Sequence, residues 1–178
     1  MKRRFLAVFF IVIFLPGKVC ANPFSDIKGL RDVFPMMGMA YVLGLAISKN
    51  DTVGLKEYAE SYLASQGAVE GLKALRLECR PNGTEWCSFP SGHAAAGFSP
   101  AFFAHKRYGL KAAIFPYALA AMTAAQRVFV GAHYTHDVIF GAAIAGLFTY
   151  AFVDNYLPNK VDLVINSRKV AIHYETRF

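Results

Sequence analysis

The sequence predicts an all-α fold, a helical bundle of about five or six apolar helices that is integral to a membrane. Hydrophobic residues make up 55% of the 178 residues, whereas charged residues make up only 17%. This balance is richer in apolar side chains than that of an ordinary soluble protein. The apolar residues are grouped in segments that end at charged residues, proline or asparagine. A chain of this length fits one domain.

The N-terminal segment has the composition of an export signal. Basic residues at positions 2–4 precede an uninterrupted apolar run from Phe5 to Leu15, and a Val-Cys-Ala sequence ends at residue 21. A basic region followed by an apolar region is typical of a signal peptide. We predict that residues 1–21 are a signal peptide, or a signal anchor if they are not cleaved, and that residues 22–158 form the main domain.

Five further apolar segments follow a connector that ends at Asp32. They cover residues 33–48, 52–72, 92–104, 112–126 and 138–153. The last three are shorter than the ~20 residues of a standard membrane span, so the pattern also fits core helices of a soluble bundle. Charge placement favours the membrane. If the first two segments cross, the basic connector 105–111 and the tail from Lys160 both lie in the cytoplasm, as the positive-inside tendency requires.

The segment 52–72 and the tail leave alternatives open. Segment 52–72 carries several charged residues, so it is either amphipathic or a span shielded by its neighbours. In the tail, residues 159–178, apolar side chains alternate on both sides of Asn166–Ser167. This alternation predicts a short β-hairpin.

The net charge of +7 raises the question of a nucleic-acid partner. The lysines and arginines are scattered over the termini and short connectors and form no basic stripe interleaved with aromatic residues. We therefore expect no nucleic-acid binding. The basic excess fits anionic phosphate groups and membrane lipids better.

Two cysteines, Cys79 and Cys87, lie eight residues apart in a loop rich in proline, glycine and asparagine. In an oxidising compartment they could close a small disulfide. The alternative is a pair of free thiols, if the short loop does not meet disulfide geometry. No histidine or cysteine spacing resembles a zinc site, and we predict neither a metal nor a cofactor.

Three clusters of polar residues interrupt the apolar segments. They are Lys73 with Arg80–Pro81, then Pro90–Ser91–Gly92–His93, then Arg127 with His133 and Asp137. Phosphoryl transfer spreads negative charge over the oxygens of the transferring group, so its catalysis needs fixed cations and amide donors. A lysine and two arginines would supply the cations. Arginine suits this task because its planar fork donates two parallel hydrogen bonds to a phosphate.

The second and third clusters have features of an anion site and of a nucleophile. Ser91–Gly92–His93 lies where an apolar helix is predicted to begin, so its N–H groups would face an anion; the alternative is an ordinary helix N-cap. His133 and Asp137 are four residues apart, which predicts neighbours on one helical face. The carboxylate would orient the imidazole and leave its other nitrogen free as a nucleophile, the alternative being a surface pair. His136 lies off this face and is predicted to be a bystander.

In order and spacing, the three clusters resemble the signature of the type 2 phosphatidic acid phosphatase (PAP2) and vanadium haloperoxidase superfamily. The resemblance implies that family's helical bundle, with the active site on the periplasmic side of a bacterial inner membrane. It also implies a phospho-histidine mechanism in which His133 attacks phosphorus, Asp137 orients His133 and His93 protonates the leaving oxygen. The implied phosphate-binding residues are Lys73, Arg80, Ser91, Gly92 and Arg127.

Two further points follow from the resemblance. The family usually has serine directly before the arginine of the third motif, where this chain has Gln126, so phosphate contact at that position is in doubt. A disulfide between Cys79 and Cys87 would brace Arg80, which follows Cys79 directly.

The expected activity is hydrolysis of a phosphomonoester or pyrophosphate on a lipid. Candidate substrates are undecaprenyl pyrophosphate, phosphatidylglycerol phosphate, phosphatidic acid and the phosphates of lipid A. One alternative is a soluble periplasmic acid phosphatase. Others are a vanadate-dependent haloperoxidase, against which the short chain argues, and a membrane scaffold that has lost activity.

Overall fold

The computed structural model describes residues 30–75, 77–83, 88–156, 160–166 and 169–175. The predicted signal, residues 1–21, lies outside these ranges. In the described residues five α-helices are found: α1 Leu30–Ser48, α2 Thr52–Lys73, α3 Gly92–Tyr108, α4 Leu110–Phe129 and α5 Thr135–Phe152. The predicted all-α fold is confirmed, and each apolar segment corresponds to one helix.

The helices extend beyond the apolar segments where polar residues stabilise their ends. Helix α3 runs on to Tyr108 through three basic residues, because cations are favourable in the last turn of a helix. Helix α2 begins after Asp51, whose carboxylate accepts a hydrogen bond of 2.9 Å from the Gly54 N–H. Helix α1 begins at Leu30, so Asp32 belongs to its first turn and not to the connector assigned from the sequence.

Helix α3 is the central helix and packs against the other four. Small residues on α3 and its neighbours allow this close packing. A Cβ added at Gly97 would lie 3.3 Å from the Thr123 hydroxyl of α4, and one added at Gly38 of α1 would lie 3.1 Å from Pro100. The resulting core includes a cluster of Val69, Ala95 and Ala145 from α2, α3 and α5. This cluster lies next to the first residues of α3 and so supports the Ser91–His93 segment.

The opposite end of α3 is fixed by a buried ionic network. Arg107 makes two hydrogen bonds of 2.5 Å with Asp51. It also donates to Glu57 at 2.8 Å and to the Asp154 carbonyl at 3.0 Å. The sequence suggested a basic connector here. Instead, Arg107 is 7% exposed and joins the α1–α2 turn to the end of α5.

The C-terminal segment forms a two-stranded antiparallel hairpin. Strand β1, Lys160–Asn166, pairs with strand β2, Lys169–Glu175. The register places Val161 opposite Tyr174 and Ile165 opposite Val170. The alternating apolar residues of the tail are therefore cross-strand partners, as a hairpin requires.

Among the described helices, α5 has the length and apolar composition of a membrane span. Only 28% of its residues are buried inside the protein. Helix α1 contains a shorter apolar stretch, Asp32–Ser48. Most of the α5 surface is therefore apolar and faces outward.

Candidate active site

The three polar clusters meet at one end of the bundle. The Ser91 N–H donates a hydrogen bond of 3.0 Å to the Asp137 carbonyl, which joins the start of α3 to the first turn of α5. The Asn82 N–H donates to the Gly131 carbonyl at 3.1 Å, which joins the loop after α2 to the α4–α5 turn. Residues separated by up to 64 positions in the sequence are thereby brought to one site.

The start of α3 combines an N-cap with a close approach of two chains. The Ser91 hydroxyl accepts a hydrogen bond of 3.3 Å from the Ala94 N–H. Ser91 is therefore a helix N-cap, which was the alternative interpretation of this segment. The Ser91 side chain is completely buried. A Cβ added at Gly92 would lie 3.0 Å from the Lys73 ammonium. Glycine is therefore the residue that lets Lys73 lie directly against the N-terminal turn.

Lys73 is the last residue of α2. Its ammonium is 2.7 Å from the carboxylate of Glu70, one turn earlier. The Lys73 side chain is 23% exposed and that of Glu70 is 66% exposed, so the pair lies at the rim of the site. A phosphate that entered here would compete with Glu70 for the ammonium.

The α4–α5 turn fixes Arg127 and His133 relative to each other. The N–H groups of Ala132 and His133 both donate to the Arg127 carbonyl, at 3.1 and 3.2 Å. Gly131 has φ +66°, a left-handed conformation that glycine adopts without strain. This turn accounts for the sequence spacing between Arg127 and His133. It holds both residues at the same end of the bundle.

Gln126 has a role that the sequence did not predict. Its side-chain oxygen accepts a hydrogen bond of 2.7 Å from the Arg127 Nε–H. Both side chains are 6% exposed. Gln126 therefore orients the guanidinium of Arg127.

The predicted reason for the His133–Asp137 contact is wrong, although the contact exists. Helix α5 begins at Thr135, so His133 lies in the preceding turn and does not share a helical face with Asp137. The turn nevertheless places His133 Nδ1 3.5 Å from Asp137 Oδ2. That is an ion-pair distance, longer than a hydrogen bond.

Asp137 is completely buried and held from two sides. Its Oδ2 accepts a hydrogen bond from the Ser88 hydroxyl and another, of 2.9 Å, from the Tyr134 N–H. Ser88 is also fully buried, and its own N–H donates to the Glu78 carbonyl at 2.9 Å. Sequence reasoning missed Ser88, because no local pattern connects it to a carboxylate 49 residues later.

The surroundings of His133 keep its imidazole neutral. Burial lowers the pKa of His133, and the positive charges of Arg80 and Arg127 act in the same direction. The charge of Asp137 and the backbone of Ser88 oppose this shift without reversing it. A histidine whose pKa is lowered has a free ring nitrogen at neutral pH, which a nucleophile needs.

His93 has a partner that the sequence did not indicate. Its Nε2 lies 3.0 Å from Asp32 Oδ1, in the first turn of α1. Both residues line a cavity of about 390 Å³ between α1, α2 and α3. Lys73 and Gly92 also line this cavity, and α1 contributes the apolar side chain of Met36 in addition to Asp32.

His136, predicted to be a bystander, lies at the edge of the site. Its Nε2 is 2.7 Å from Glu78 Oε2 and 3.2 Å from Asp137 Oδ1. Its ring stacks on Tyr134, with centroids 5.4 Å apart. In the described part of the chain, Glu78, His136 and Asp137 form the group whose ligand atoms are close enough to surround a metal ion. The hydrogen bond between Glu78 and His136 accounts for the placement of both side chains.

The predicted disulfide falls partly outside the described residues. Cys79 is partly buried directly before Arg80. Cys87 lies in the range 84–87, which the structure does not describe. The pairing of the two cysteines stays a prediction.

Comparison with known proteins gives the family. The chain is 35% identical over 171 residues to the lipid A 4'-phosphatase of Helicobacter pylori strain J99, a match that covers 90% of this chain and 86% of the relative. The family model of the PAP2 superfamily matches residues 74–160. The chain belongs to the PAP2 superfamily. The matched range contains the residues of the three PAP2 motifs apart from Lys73. Lys73 lies directly before the range.

Two further comparisons concern a shorter segment and the fold. The PAP2 chain is 37% identical to the lipid A 1-phosphatase of Porphyromonas gingivalis over 68 residues, which is 36% of this chain and 15% of that relative. The crystal structure of Aquifex aeolicus LpxE matches with a TM-score of 0.58 and 23% sequence identity, and the match covers 74% of this chain and 87% of that one. This likeness confirms the PAP2-type helical fold.

Proposed function

We propose that the protein is a lipid phosphatase that transfers a phosphoryl group from its substrate to His133 and then to water. The observation that carries this proposal is the convergence of three motifs around a buried, neutral His133. Arg80 and Arg127 both lower the pKa of His133, and we infer that the same two cations bind the phosphate that His133 attacks.

The first chemical step forms a bond between phosphorus and His133 Nε2. Nδ1 faces Asp137, so Nε2 is the ring nitrogen available for attack. The bond between phosphorus and the leaving oxygen breaks, and His93 donates a proton to that oxygen. Arg80, Arg127, Lys73 and the N–H groups at the start of α3 stabilise the charge on the other oxygens.

The second step releases phosphate. A water molecule attacks phosphorus, its proton passes to the now neutral His93, and the bond between phosphorus and His133 breaks. His93 is thereby returned to its protonated form. Asp137 stabilises the positive charge that the His133 ring carries while it is phosphorylated.

A lipid substrate is supported by the outer surface of the bundle. Large apolar side chains are more than half exposed on three helices: Met36 on α1, Ile114 on α4, and Ile139 and Leu147 on α5. Large exposed apolar side chains on several helices favour contact with a membrane or a partner. We propose that the bundle lies in the bacterial inner membrane with the site facing the periplasm.

Among the lipid phosphates considered, we favour lipid A. The relative that matches 90% of the chain is named a lipid A 4'-phosphatase. Lipid A offers a sugar phosphate as the reacting group and acyl chains for the membrane. Phosphatidic acid, phosphatidylglycerol phosphate and undecaprenyl pyrophosphate share the phosphate but not the sugar.

The test is phosphate release from these four lipids by the detergent-purified protein and by a His133→Ala variant. We expect release from lipid A and a loss of several orders of magnitude in the variant, because a covalent nucleophile has been removed. A His105→Ala variant is the matched control, since His105 contacts Tyr117 at 3.0 Å near the other end of α3. Activity that survives in His133→Ala would contradict the mechanism.

The same preparation tests the membrane assignment and the competing function. We expect the protein to stay in the membrane fraction after osmotic shock and to require detergent for release. Release without detergent, together with hydrolysis of small soluble phosphate esters but of none of the four lipids, would favour a soluble acid phosphatase instead.

A further inference from the structure

Helix α1 contributes a carboxylate to the active site. Asp32 Oδ1 lies 3.0 Å from His93 Nε2, although the two residues are 61 positions apart. The side chains are 50% and 34% exposed, so both reach the cavity and solvent. Asp32 lies outside residues 74–160, the range that the family model matches. Asp32 also lies outside the three polar clusters that form the PAP2 signature, so the signature assigns it no role.

Among the charged side chains that line the cavity with His93 in the described residues, Asp32 and Glu70 favour the protonated imidazole and Lys73 opposes it. His93 is the second residue of α3, where the helix dipole disfavours a positive charge. Lys73, the last residue of α2, is the cation among these lining residues. A general acid at this position needs a nearby carboxylate to hold its proton.

Of these two carboxylates, Asp32 is the one in contact with the imidazole. Glu70 lines the same cavity, but it is paired with the Lys73 ammonium at 2.7 Å. Asp32 Oδ1 is instead at hydrogen-bond distance from the ring nitrogen of His93. Its position in the first turn of a packed helix fixes where that nitrogen points.

We propose that Asp32 is a positioning residue for His93. Its carboxylate orients the imidazole and stabilises the protonated form that gives its proton to the leaving oxygen. An imidazolium has two N–H groups, so one can face Asp32 while the other faces the leaving group. Asp32 stays ionised throughout, and the proton that His93 loses in the first step returns from water in the second. This inference rests on the proposed phosphatase function.

The leaving group provides the sharpest test. A lipid or sugar alkoxide is a poor leaving group and needs protonation, whereas p-nitrophenolate leaves without it. We expect Asp32→Asn to lower kcat/KM on lipid A about tenfold, which is a part of the roughly 100-fold or larger contribution of a general acid. The kcat/KM on p-nitrophenyl phosphate should change less than about twofold, because formation of the phospho-histidine from this substrate does not depend on a general acid.

Two further measurements separate positioning from a structural effect. The alkaline limb of the pH profile for lipid A should move to lower pH in Asp32→Asn, because His93 then loses its proton more easily. Asp32→Glu should restore part of the activity. Glu60→Gln is the matched control, since Glu60 contacts only the exposed Lys56, at 3.8 Å, among its charged neighbours in the described structure.

The outcomes distinguish this inference from the function on which it rests. Suppose that His133→Ala is inactive, as expected. The role of Asp32 would then be overturned if Asp32→Asn lost the same activity on both substrates, kept the alkaline limb of its pH profile, or kept its activity on lipid A. If the unaltered protein hydrolyses no lipid phosphate, or His133→Ala remains active, the proposed function itself fails.

Discussion

The state of His133 depends on groups from three separate parts of the chain. Burial lowers its pKa, and Arg80 from the loop after α2 and Arg127 from the end of α4 lower it further. Asp137 in α5 acts in the opposite direction. The two arginines that would bind the phosphate therefore also keep the nucleophile neutral. The proposed nucleophile and the arginines proposed to bind phosphate therefore interact electrostatically. A substitution of either arginine would also change the pKa of His133.

Ser88 is expected to act through Asp137. In Ser88→Ala the buried carboxylate loses the hydroxyl donor on Oδ2, and the loss of such a hydrogen bond to a charged group costs about 1.5–3 kcal/mol. We expect a lower unfolding temperature and a kcat on lipid A reduced about tenfold with little change in KM, because substrate contacts remain. Steady-state kinetics and thermal unfolding in detergent measure these effects.

Ser61→Ala is the matched control for Ser88→Ala. Ser61 is equally buried, but its hydroxyl donates to the Tyr58 carbonyl within α2 and contacts no catalytic group. We expect the control to keep its kcat. If both variants lost the same activity, Ser88 would contribute to stability only.

At the level of single residues, the sequence was informative where function depends on local spacing. Arg127 and His133 were singled out from their spacing in the sequence, and one short turn accounts for that spacing in the structure. Asp32 and Ser88 were not found, because their contacts span 61 and 49 residues and depend on how the helices pack. Gln126 was noticed as a departure from the family pattern. Its hydrogen bond to Arg127 could not be inferred without the side-chain geometry.

Between elements, the contact of α5 with the segment before α3 sets the shape of the site. A Cβ added at Gly141 would overlap the Ser91 carbonyl oxygen. Ser91 in turn donates its N–H to the Asp137 carbonyl. The turn at the start of α3 and the carboxylate that faces His133 are therefore positioned by the same helix contact.

Gly141→Ala should displace this turn. We expect kcat/KM on lipid A to fall at least tenfold, because a displacement of about 1 Å in a catalytic geometry can cost about 100-fold in rate. Gly44→Ala is the control, since no atom lies within 4 Å of a Cβ at Gly44. The control should be neutral or slightly stabilising, by up to about 1 kcal/mol from helix propensity. Equal kcat/KM values for the two variants would show that the turn tolerates the extra methyl group.

The helices themselves were predictable, and their ends were less so. Each apolar segment gave one helix because apolar runs bounded by polar residues are a strong signal. The basic residues after Ala104 ended the third predicted segment, yet α3 continues to Tyr108. Arg107 is not a solvated connector charge, because Asp51 and Glu57 from another part of the chain neutralise it.

On the scale of the whole molecule, the buried network at Arg107 holds the bundle closed at the end opposite the site. We expect Arg107→Met to destabilise the protein by about 3–5 kcal/mol, because Asp51 and Glu57 are left buried without their cation. Lys106→Met is the control, since Lys106 lies 5.5 Å over the ring of Tyr150 and has no part in the network. Denaturant unfolding in detergent measures both variants. A stability loss no larger than that of the control would contradict a holding role for the network.

The network should also make the stability of the whole bundle depend on pH. Burial alone would raise the pKa of Asp51, but hydrogen bonds from Arg107, Tyr108 and the Gly54 N–H outweigh it, and the pKa is lowered from 3.8. Such a carboxyl stabilises the fold above its unfolded-state pKa, and this contribution is lost as the pH falls through the lower folded-state value. We expect the unfolding temperature to fall more steeply with acidification below 3.8 in the unaltered protein than in Asp51→Asn, where no such group titrates. Equal slopes in the two proteins would mean that other carboxyl groups control the acid sensitivity of the bundle.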